Sequence, residues 1–250
     1  MKTGRVHVRA GPEGRELIVD GTLASFYQPG SAVTGSVWDA IAAPLLALAP
    51  QNRRTVLILG LGGGSAARIV RAIAPEARIV GVEFDPAVVA AARRYLDLDD
   101  LDVEVVLDDA LAFLERGRER YDAVLEDVFV GEGDDVHKPA WLPLPGLLLA
   151  SRQLAPGGVL VSNALDEAPA VAKALRGLFP SVLQIDVADY DNRVFAAGRK
   201  LPRASGLRAA VQASPVLSGS LERLRLRTLK PASSRSVRRV PRKAAREALR

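Results

Sequence analysis

Val56-Leu-Ile-Leu-Gly60-Leu-Gly62-Gly63-Gly64-Ser-Ala-Ala-Arg68, followed by Ile79-Val-Gly-Val-Glu83-Phe-Asp85-Pro86, decides the fold. An apolar run ends in a glycine cluster, a segment of helical character follows, and a second apolar run ends in an acid. This is the order of a nucleotide-binding β-α-β unit. Glycines carry no Cβ, so Gly60, Gly62 and Gly64 let the backbone turn sharply and approach a ligand closely. Glu83 lies 23 residues after Gly60, where a strand-end carboxylate can accept hydrogen bonds from both hydroxyls of a ribose. The ligand class implied is an adenosine-containing molecule. The competing readings are a tight turn without a ligand and a solvated turn acid.

Outward from this unit, strand-like and helix-like segments alternate, which argues for a doubly wound parallel sheet. The last two strand-like segments, around residues 181–188 and 193–197, are joined only by Asp189-Tyr-Asp-Asn192. A parallel crossover needs a dozen or more residues, so these two must be antiparallel. The expected fold is therefore α/β: a Rossmann-like, mostly parallel, seven-stranded sheet with an antiparallel last strand. That arrangement is used by S-adenosylmethionine-dependent transferases. A hairpin region is expected over residues 5–27, from Val-His-Val alternation, the turn signal Gly11-Pro-Glu-Gly14 and the strand ending in Asp20-Gly21. Residues 34–49 read as a helix with Pro44 inside it, and residues 220–229 as a short helix. Three regions are expected: 1–50, hairpin and helix; 51–200, nucleotide-binding domain; 201–250, a basic, partly disordered tail.

Charge divides the chain. Residues 201–250 hold 13 Lys/Arg and 2 Asp/Glu, whereas residues 1–200 hold 21 and 27, so the net charge of +5 averages an acidic body and a basic tail. Such a tail is either a solvated terminus or a nucleic-acid arm. There are no cysteines, which excludes disulfides, thiolate metal sites and cysteine nucleophiles and agrees with a cytoplasmic setting. The N-terminus has no apolar signal-like run, and no apolar stretch approaches the roughly 20 residues of a membrane span. His7 and His137 are the only histidines, so neither a histidine metal site nor a Ser-His-Asp triad is expected. No Gly-Lys-Ser/Thr follows the glycines, which excludes a P-loop.

Ligands of this fold sit beyond the carboxyl ends of the strands. Asp109 ends the third core strand, where it could accept the adenine amine, with Ala110 offering its backbone N–H; the alternative is a helix N-cap, and the two roles are compatible. Asp127 ends the fourth, beside the place of a reacting sulfonium. It could accept a proton from an attacking amine, hold a cationic acceptor, or be a structural turn acid. Glu126 should face the other side of the strand.

Across residues 5–200 the chain resembles the spermidine synthase (polyamine aminopropyltransferase) family. The resemblance rests on Leu17-Ile-Val-Asp20-Gly21, the Val56–Gly64 run, Val82-Glu83-Phe-Asp85-Pro86, Val103–Leu114 with Asp109-Ala110, Tyr121-Asp-Ala-Val-Leu-Glu-Asp127 and Leu154-Ala-Pro-Gly-Gly158. It implies Glu83 on the ribose, Asp109 on the adenine, Asp127 as the amine-activating acid, S-adenosylmethionine or its decarboxylated form as donor, no metal, and a homodimer paired through the N-terminal hairpin. The departures lie in the polyamine half. Gly63 stands where the family carries the aspartate that holds the aminopropyl amine, and Val130 where a second aspartate follows the catalytic one. Ala24 stands for a glutamine, and Ala32-Val33 and Ser36-Val37-Trp38 for Asp-Glu and Tyr-His-Glu elements. Three functions are compatible with this pattern: a spermidine synthase-like transferase with a degenerate polyamine site and an amine-type acceptor, a methyltransferase whose tail binds nucleic acid, and a non-catalytic nucleotide-binding module.

Overall fold

The computed structural model describes residues 6–231; Arg5 of the hairpin region and the expected tail beyond 231 lie outside them. Three antiparallel strands come first: β1 (Val6–Gly11), β2 (Gly14–Val19) and β3 (Thr22–Tyr27). Helix α1 (Val37–Ala42) leads to the central unit, which continues β4 (Thr55–Leu59), α2 (Ser65–Ile73), β5 (Arg78–Glu83), α3 (Pro86–Tyr95), β6 (Val103–Leu107), α4 (Ala110–Arg116) and β7 (Tyr121–Glu126). A small hairpin, β8 (Val130–Glu132) and β9 (Asp135–His137), precedes α5 (Gly146–Arg152), β10 (Leu154–Ala164), α6 (Ala168–Leu178), β11 (Ser181–Val187), β12 (Arg193–Gly198), α7 (Ala204–Gln212) and β13 (Leu224–Thr228).

The central sheet has the order β13-β11-β12-β10-β7-β4-β5-β6. Strands β4, β5, β6, β7 and β10 are parallel neighbours, and β12 is inserted antiparallel between β10 and β11. The mostly parallel sheet with an antiparallel insertion agrees with the expectation; the strand count does not. The sheet has eight strands, because Leu224–Thr228 pairs with β11 as an edge strand. The helix expected over 220–229 is instead a 3-10 turn, Ser218–Arg223, running into that strand. Leu224 and Leu226 alternate with Arg225 and Arg227, a period-two pattern that suits a half-buried strand. Residues 201–231, expected to begin a tail, thus supply α7 and β13.

Hydrophobic side chains cover both faces of the sheet. Ile58, Ile69, Ile79, Leu125, Val161 and Ile185 pack on one side with α1, α2 and α7. Leu57, Leu59, Val80, Leu160, Leu175 and Phe195 pack on the other with α4, α5 and α6. The near-continuous apolar runs of β4 and β7 are the signature of strands buried on both faces. Helix starts follow local chemistry: Asp85 caps α3 by accepting the Ala87 N–H at 2.7 Å with Pro86 in the first turn, and Asp109 caps α4 through the Ala112 N–H at 2.9 Å. The helix expected over 34–49 is split: α1 ends at Ala42 and Pro44 opens a 3-10 turn, Ala43–Ala47. No helix among the described residues is long and apolar enough to cross a membrane.

The loop before α1 is built on Asp39, which is 1% exposed. Its carboxylate accepts from Thr34 N–H at 2.8 Å, Thr34 Oγ1 at 2.7 Å, Gly35 N–H at 3.0 Å and Ser220 Oγ at 2.6 Å. The last bond ties the start of the chain's helical layer to the turn before β13. Asp39→Ala would leave four donors without their acceptor, and bonds to a charged group count for more than neutral ones. Chemical denaturation of this variant is expected to show a loss of about 2–4 kcal/mol, with Ser220→Ala losing about 1 kcal/mol.

Candidate functional site

The glycine loop is held by the protein on every side. Gly60 and Leu61 N–H both donate to the Val82 carbonyl at 3.0 Å, Gly62 N–H donates to Glu83 Oε2 at 2.8 Å, and Gly63 N–H donates to Ser25 Oγ at 2.6 Å. Gly60, at φ +80°, lies against the end of β7: a Cβ there would stand 2.6 Å from the Asp127 carbonyl oxygen. A Cβ at Gly62 would stand 2.9 Å from Ser25 Oγ, and one at Gly63 would stand 2.6 Å from Leu96 Cδ2 and 2.8 Å from Ser25 Cβ. The close approaches that demand glycine here are therefore made by β3, β7 and the end of α3. At Gly63 the space for a side chain is filled by Ser25 and Leu96.

Glu83 projects from the end of β5 into this loop. Besides Gly62, it accepts from Phe84 N–H at 2.9 Å and Asp85 N–H at 3.1 Å, both on Oε1. Burial pushes its carboxyl above the usual range, while these three N–H groups pull it back towards the ionised form. A carboxylate has about four acceptor positions. Three are engaged by backbone N–H groups of the loop and of the turn after β5.

Next to Glu83, β6 ends at Leu107, with Asp108 N–H donating to the Glu83 carbonyl at 3.0 Å. Phe84 and Leu107 are large apolar residues left 53% and 56% exposed at this edge, next in sequence to Glu83 and Asp108. Sequence reading passed over both, because an exposed apolar residue has no pattern until its neighbours are known. Asp109 is the N-cap of α4, using Oδ1, and Ala110 is buried at the first helical position.

At the end of β7 the two acids separate as the strand period requires. Glu126 is 1% exposed and accepts from Ser162 Oγ at 2.5 Å and from Lys138 Nζ at 2.6 Å. Lys138 also donates to the Val128 carbonyl at 2.9 Å and lies 3.8 Å from the Phe129 ring centre. Asp127 turns the other way. Its Oδ1 accepts from Asn163 Nδ2 at 2.8 Å, Asn163 Oδ1 accepts from Asn192 Nδ2 at 3.1 Å, and the Trp38 side chain is near enough to favour the ionised carboxylate. Burial raises the Asp127 pKa to about 6, against the pull of Lys138, Asn163 and Trp38. Asn163 and Asn192 are neighbours of Asp127 that sequence reasoning missed, and Trp38, noted there only as a departure from the family's pattern, joins them; each reaches Asp127 or its partner only through the fold.

The hairpin β8–β9 extends from this edge to the N-terminal sheet, where Gly133 N–H donates to the Asp20 carbonyl at 2.8 Å and Thr22 Oγ1 donates to the Gly133 carbonyl at 3.0 Å. His137 is an exposed residue of this hairpin. An open depression of about 500 Å³ lies at the other end of the sheet. Its arginines are spent: Arg71 on backbone carbonyls and Arg78 on Glu104 and Glu119. The glycine loop, Glu83, Asp109 and Asp127 share the carboxyl edge of the sheet, the ligand edge of this fold.

The architecture is a Rossmann-like α/β fold of the class I methyltransferase type. Residues 40–175, more than half of the chain, match the spermine/spermidine synthase domain, and the chain belongs to that family. A probable polyamine aminopropyl transferase of Bifidobacterium longum is 34% identical over 133 residues, 52% of this chain and 28% of that protein. An eEF1A lysine and N-terminal methyltransferase homolog of Drosophila pseudoobscura pseudoobscura is 44% identical over 80 residues, 30% of this chain and 12% of that protein. The chain thus spans well under half the length of these relatives. A probable spermidine synthase from Corynebacterium glutamicum superposes with a TM-score of 0.72 at 19% identity, covering 91% of this chain and 88% of that one; at this identity the likeness shows the fold. Glu83→Ala removes the only acid that bonds the glycine loop, and calorimetry with S-adenosylhomocysteine is expected to show affinity lowered at least about tenfold, the loss of one charged hydrogen bond.

Proposed function

We propose that this protein is an S-adenosyl-dependent transferase in which Asp127 takes the proton of an amine acceptor. The observation that carries the reading is the position of Asp127: its main chain touches the glycine loop at Gly60, and its carboxyl is raised to about 6. In this reading the adenine lies between Phe84 and Leu107 with its amine towards Asp109 and Ala110, and Glu83 accepts one ribose hydroxyl. Gly60, Gly62 and Gly64 shape the loop under the sugar.

The chemistry balances with these groups alone. The acceptor nitrogen attacks the carbon bound to the sulfonium, the C–S bond breaks, and its electron pair stays on sulfur, leaving a neutral thioether. The nitrogen gains a bond and must lose a proton, which the Asp127 carboxylate accepts. A base with a pKa near 6 is ionised at neutral pH yet is a better proton acceptor than an ordinary aspartate. Asn163, oriented by Asn192, holds it by donating to the ionised form, which Trp38 also favours.

The acceptor side favours a substrate with a single cationic nitrogen. A polycation needs several carboxylates to replace its water. Here Glu126 is consumed by Lys138 and Ser162, Trp38 stands in the acid-bearing segment, and Gly63 has no room for an acid. The filled space at Gly63 also favours intact S-adenosylmethionine, whose amine has its own carboxylate nearby, over the decarboxylated donor. The donor side thus favours methyl transfer to that amine over aminopropyl transfer, the alternative within this class.

Two measurements test the proposal. Calorimetry with S-adenosylmethionine and its decarboxylated form, side by side, is expected to give binding with preference for the intact donor. Preference for the decarboxylated form would restore aminopropyl transfer, and binding of neither would remove the transferase reading. With a competent acceptor, the rate should rise with pH through about 6 and then level. Asp127→Asn should lower turnover by about 10²–10⁴ and abolish that limb. The same variant has a stability signature. The folded pKa lies above the ordinary 3.8, so the favourable contribution of protonated Asp127 is complete below 3.8 and lost as pH rises through about 6. Asp127→Asn should therefore melt higher than the parent at pH 8 and level with it at pH 4.

A further inference from the structure

Cations of the folded chain are concentrated far from the nucleotide edge. Between Asn192 and Pro231 there is one acid, Glu222, against nine Lys/Arg. Topology gathers five of the nine at one corner. Strand β12 runs against β10 and ends at Gly198, at the end of the sheet opposite the glycine loop, and Arg199, Lys200 and Arg203 follow in the connection to α7. Strand β13 runs against β11 and finishes at the same end, where Thr228 Oγ1 accepts the Ala204 N–H at 2.9 Å. That bond brings the backbones flanking Arg203 and Arg227 together, and Lys230 follows. Arg176, in the last turn of α6, donates to the Pro231 carbonyl at 3.1 Å and fixes where the chain leaves the corner.

Arg199, Lys200, Arg203, Arg227 and Lys230 are all exposed, and none has an ion-pair partner among the described residues. Elsewhere Arg9, Arg78, Arg93, Arg116 and Arg223 each pair with an acid, and exposed arginines without an ion pair, such as Arg54, Arg94 and Arg118, are spread over the chain; at this corner five unpaired cations come together. A group of unneutralised cations on an otherwise acidic protein attracts a polyanion and repels other cations. The sequence continues the pattern, with seven Lys/Arg and one acid between residues 232 and 250.

We propose that this corner docks the phosphate backbone of a nucleic acid. Several cations spread over an edge strand and its neighbouring loop fit a repeating anion better than a single one, and three of the five are arginines, whose planar guanidinium matches phosphate oxygens. An anionic bilayer is a poorer fit. Membrane-surface binding needs large apolar side chains beside the cations, and the exposed ones here, such as Phe84, Leu107 and Tyr190, lie away from this corner. Docking at the end opposite Asp127 tethers the protein and leaves the acceptor site free.

The test is fluorescence anisotropy of the full chain with labelled single-stranded RNA and with labelled duplex DNA, at several salt concentrations. The comparison is the triple variant Arg199→Glu/Arg203→Glu/Arg227→Glu, with Arg199→Gln/Arg203→Gln/Arg227→Gln as the milder form should the first fail to fold. Circular dichroism and thermal melting report the fold independently of any donor binding. The expected result is binding of at least one nucleic acid, weakened about tenfold or more in the variant. The slope of log affinity against log salt should fall by about 2, since each phosphate contact contributes about 0.7–0.9. A folded variant with unchanged affinity and slope overturns the assignment of the corner. So does a parent protein that binds neither nucleic acid at low salt, or that binds phosphatidylserine vesicles instead.

Discussion

The seam between β3 and the glycine loop organises the molecule. Gly63 N–H donates to Ser25 Oγ, and Ser65 exchanges two bonds with Phe26, its Oγ accepting from the N–H at 2.9 Å and donating to the carbonyl at 2.8 Å. Three polar bonds thus close the gap between an antiparallel sheet and the first turn of the nucleotide unit, and they do so where side chains are absent. A methyl group at Gly62 or Gly63 would push the two apart. Without the seam the small sheet would still meet α3 through Leu17, Tyr27, Val88 and Leu96 and the β8–β9 hairpin through Gly133, but the loop would lose the wall that fixes its curvature. Preorganisation of the loop, with its N–H groups already engaged, means that a ligand meets a formed surface.

The second organising constraint is the division of charge at the end of β7. Adjacent carboxylates would ordinarily raise one another's pKa. Here Glu126 still adds to the rise at Asp127, but the strand sends the two to opposite faces and gives each its own partners. Glu126 is compensated by the buried ammonium of Lys138, whose side chain has no exposed surface; removal of either partner from such a pair costs about 3–5 kcal/mol. Asp127 has only neutral donors in direct contact. One acid therefore serves the fold and anchors the entry to α5, while its neighbour remains available to titrate near neutrality.

Much of this was legible in the sequence because it is local. The apolar run ending at Gly60, the strand ending at Glu83 and the Asp85-Pro86 and Asp109-Ala110 helix starts are each decided within a few residues. The antiparallel pair at the end followed from loop length alone. What escaped reading is long-range. Leu224–Thr228 is a strand because β11 offers an open edge and the helical layer covers Leu224; its arginines looked like part of a basic tail. Trp38 and Asn163 reach Asp127 from 89 residues before it and 36 after it in the sequence, and nothing local marks them. The reason for the glycines was also only partly readable: a bare backbone says that something approaches closely, and here that something includes Ser25, Leu96 and the Asp127 carbonyl.

The edge position of β13 has a consequence for how the chain is made. Synthesis proceeds from the N-terminus, so β11 and β12 exist before residues 224–228 do. Until then β11 presents an unpaired row of backbone groups flanked by Val182, Leu183 and Ile185, the type of edge on which chains aggregate. The Asp39 carboxylate likewise waits for Ser220. Completion of the sheet and of the first helical loop is thus deferred to the same late stretch of chain: until residues 220–228 are in place, the sheet keeps an open edge and the Asp39 carboxylate lacks one of its donors.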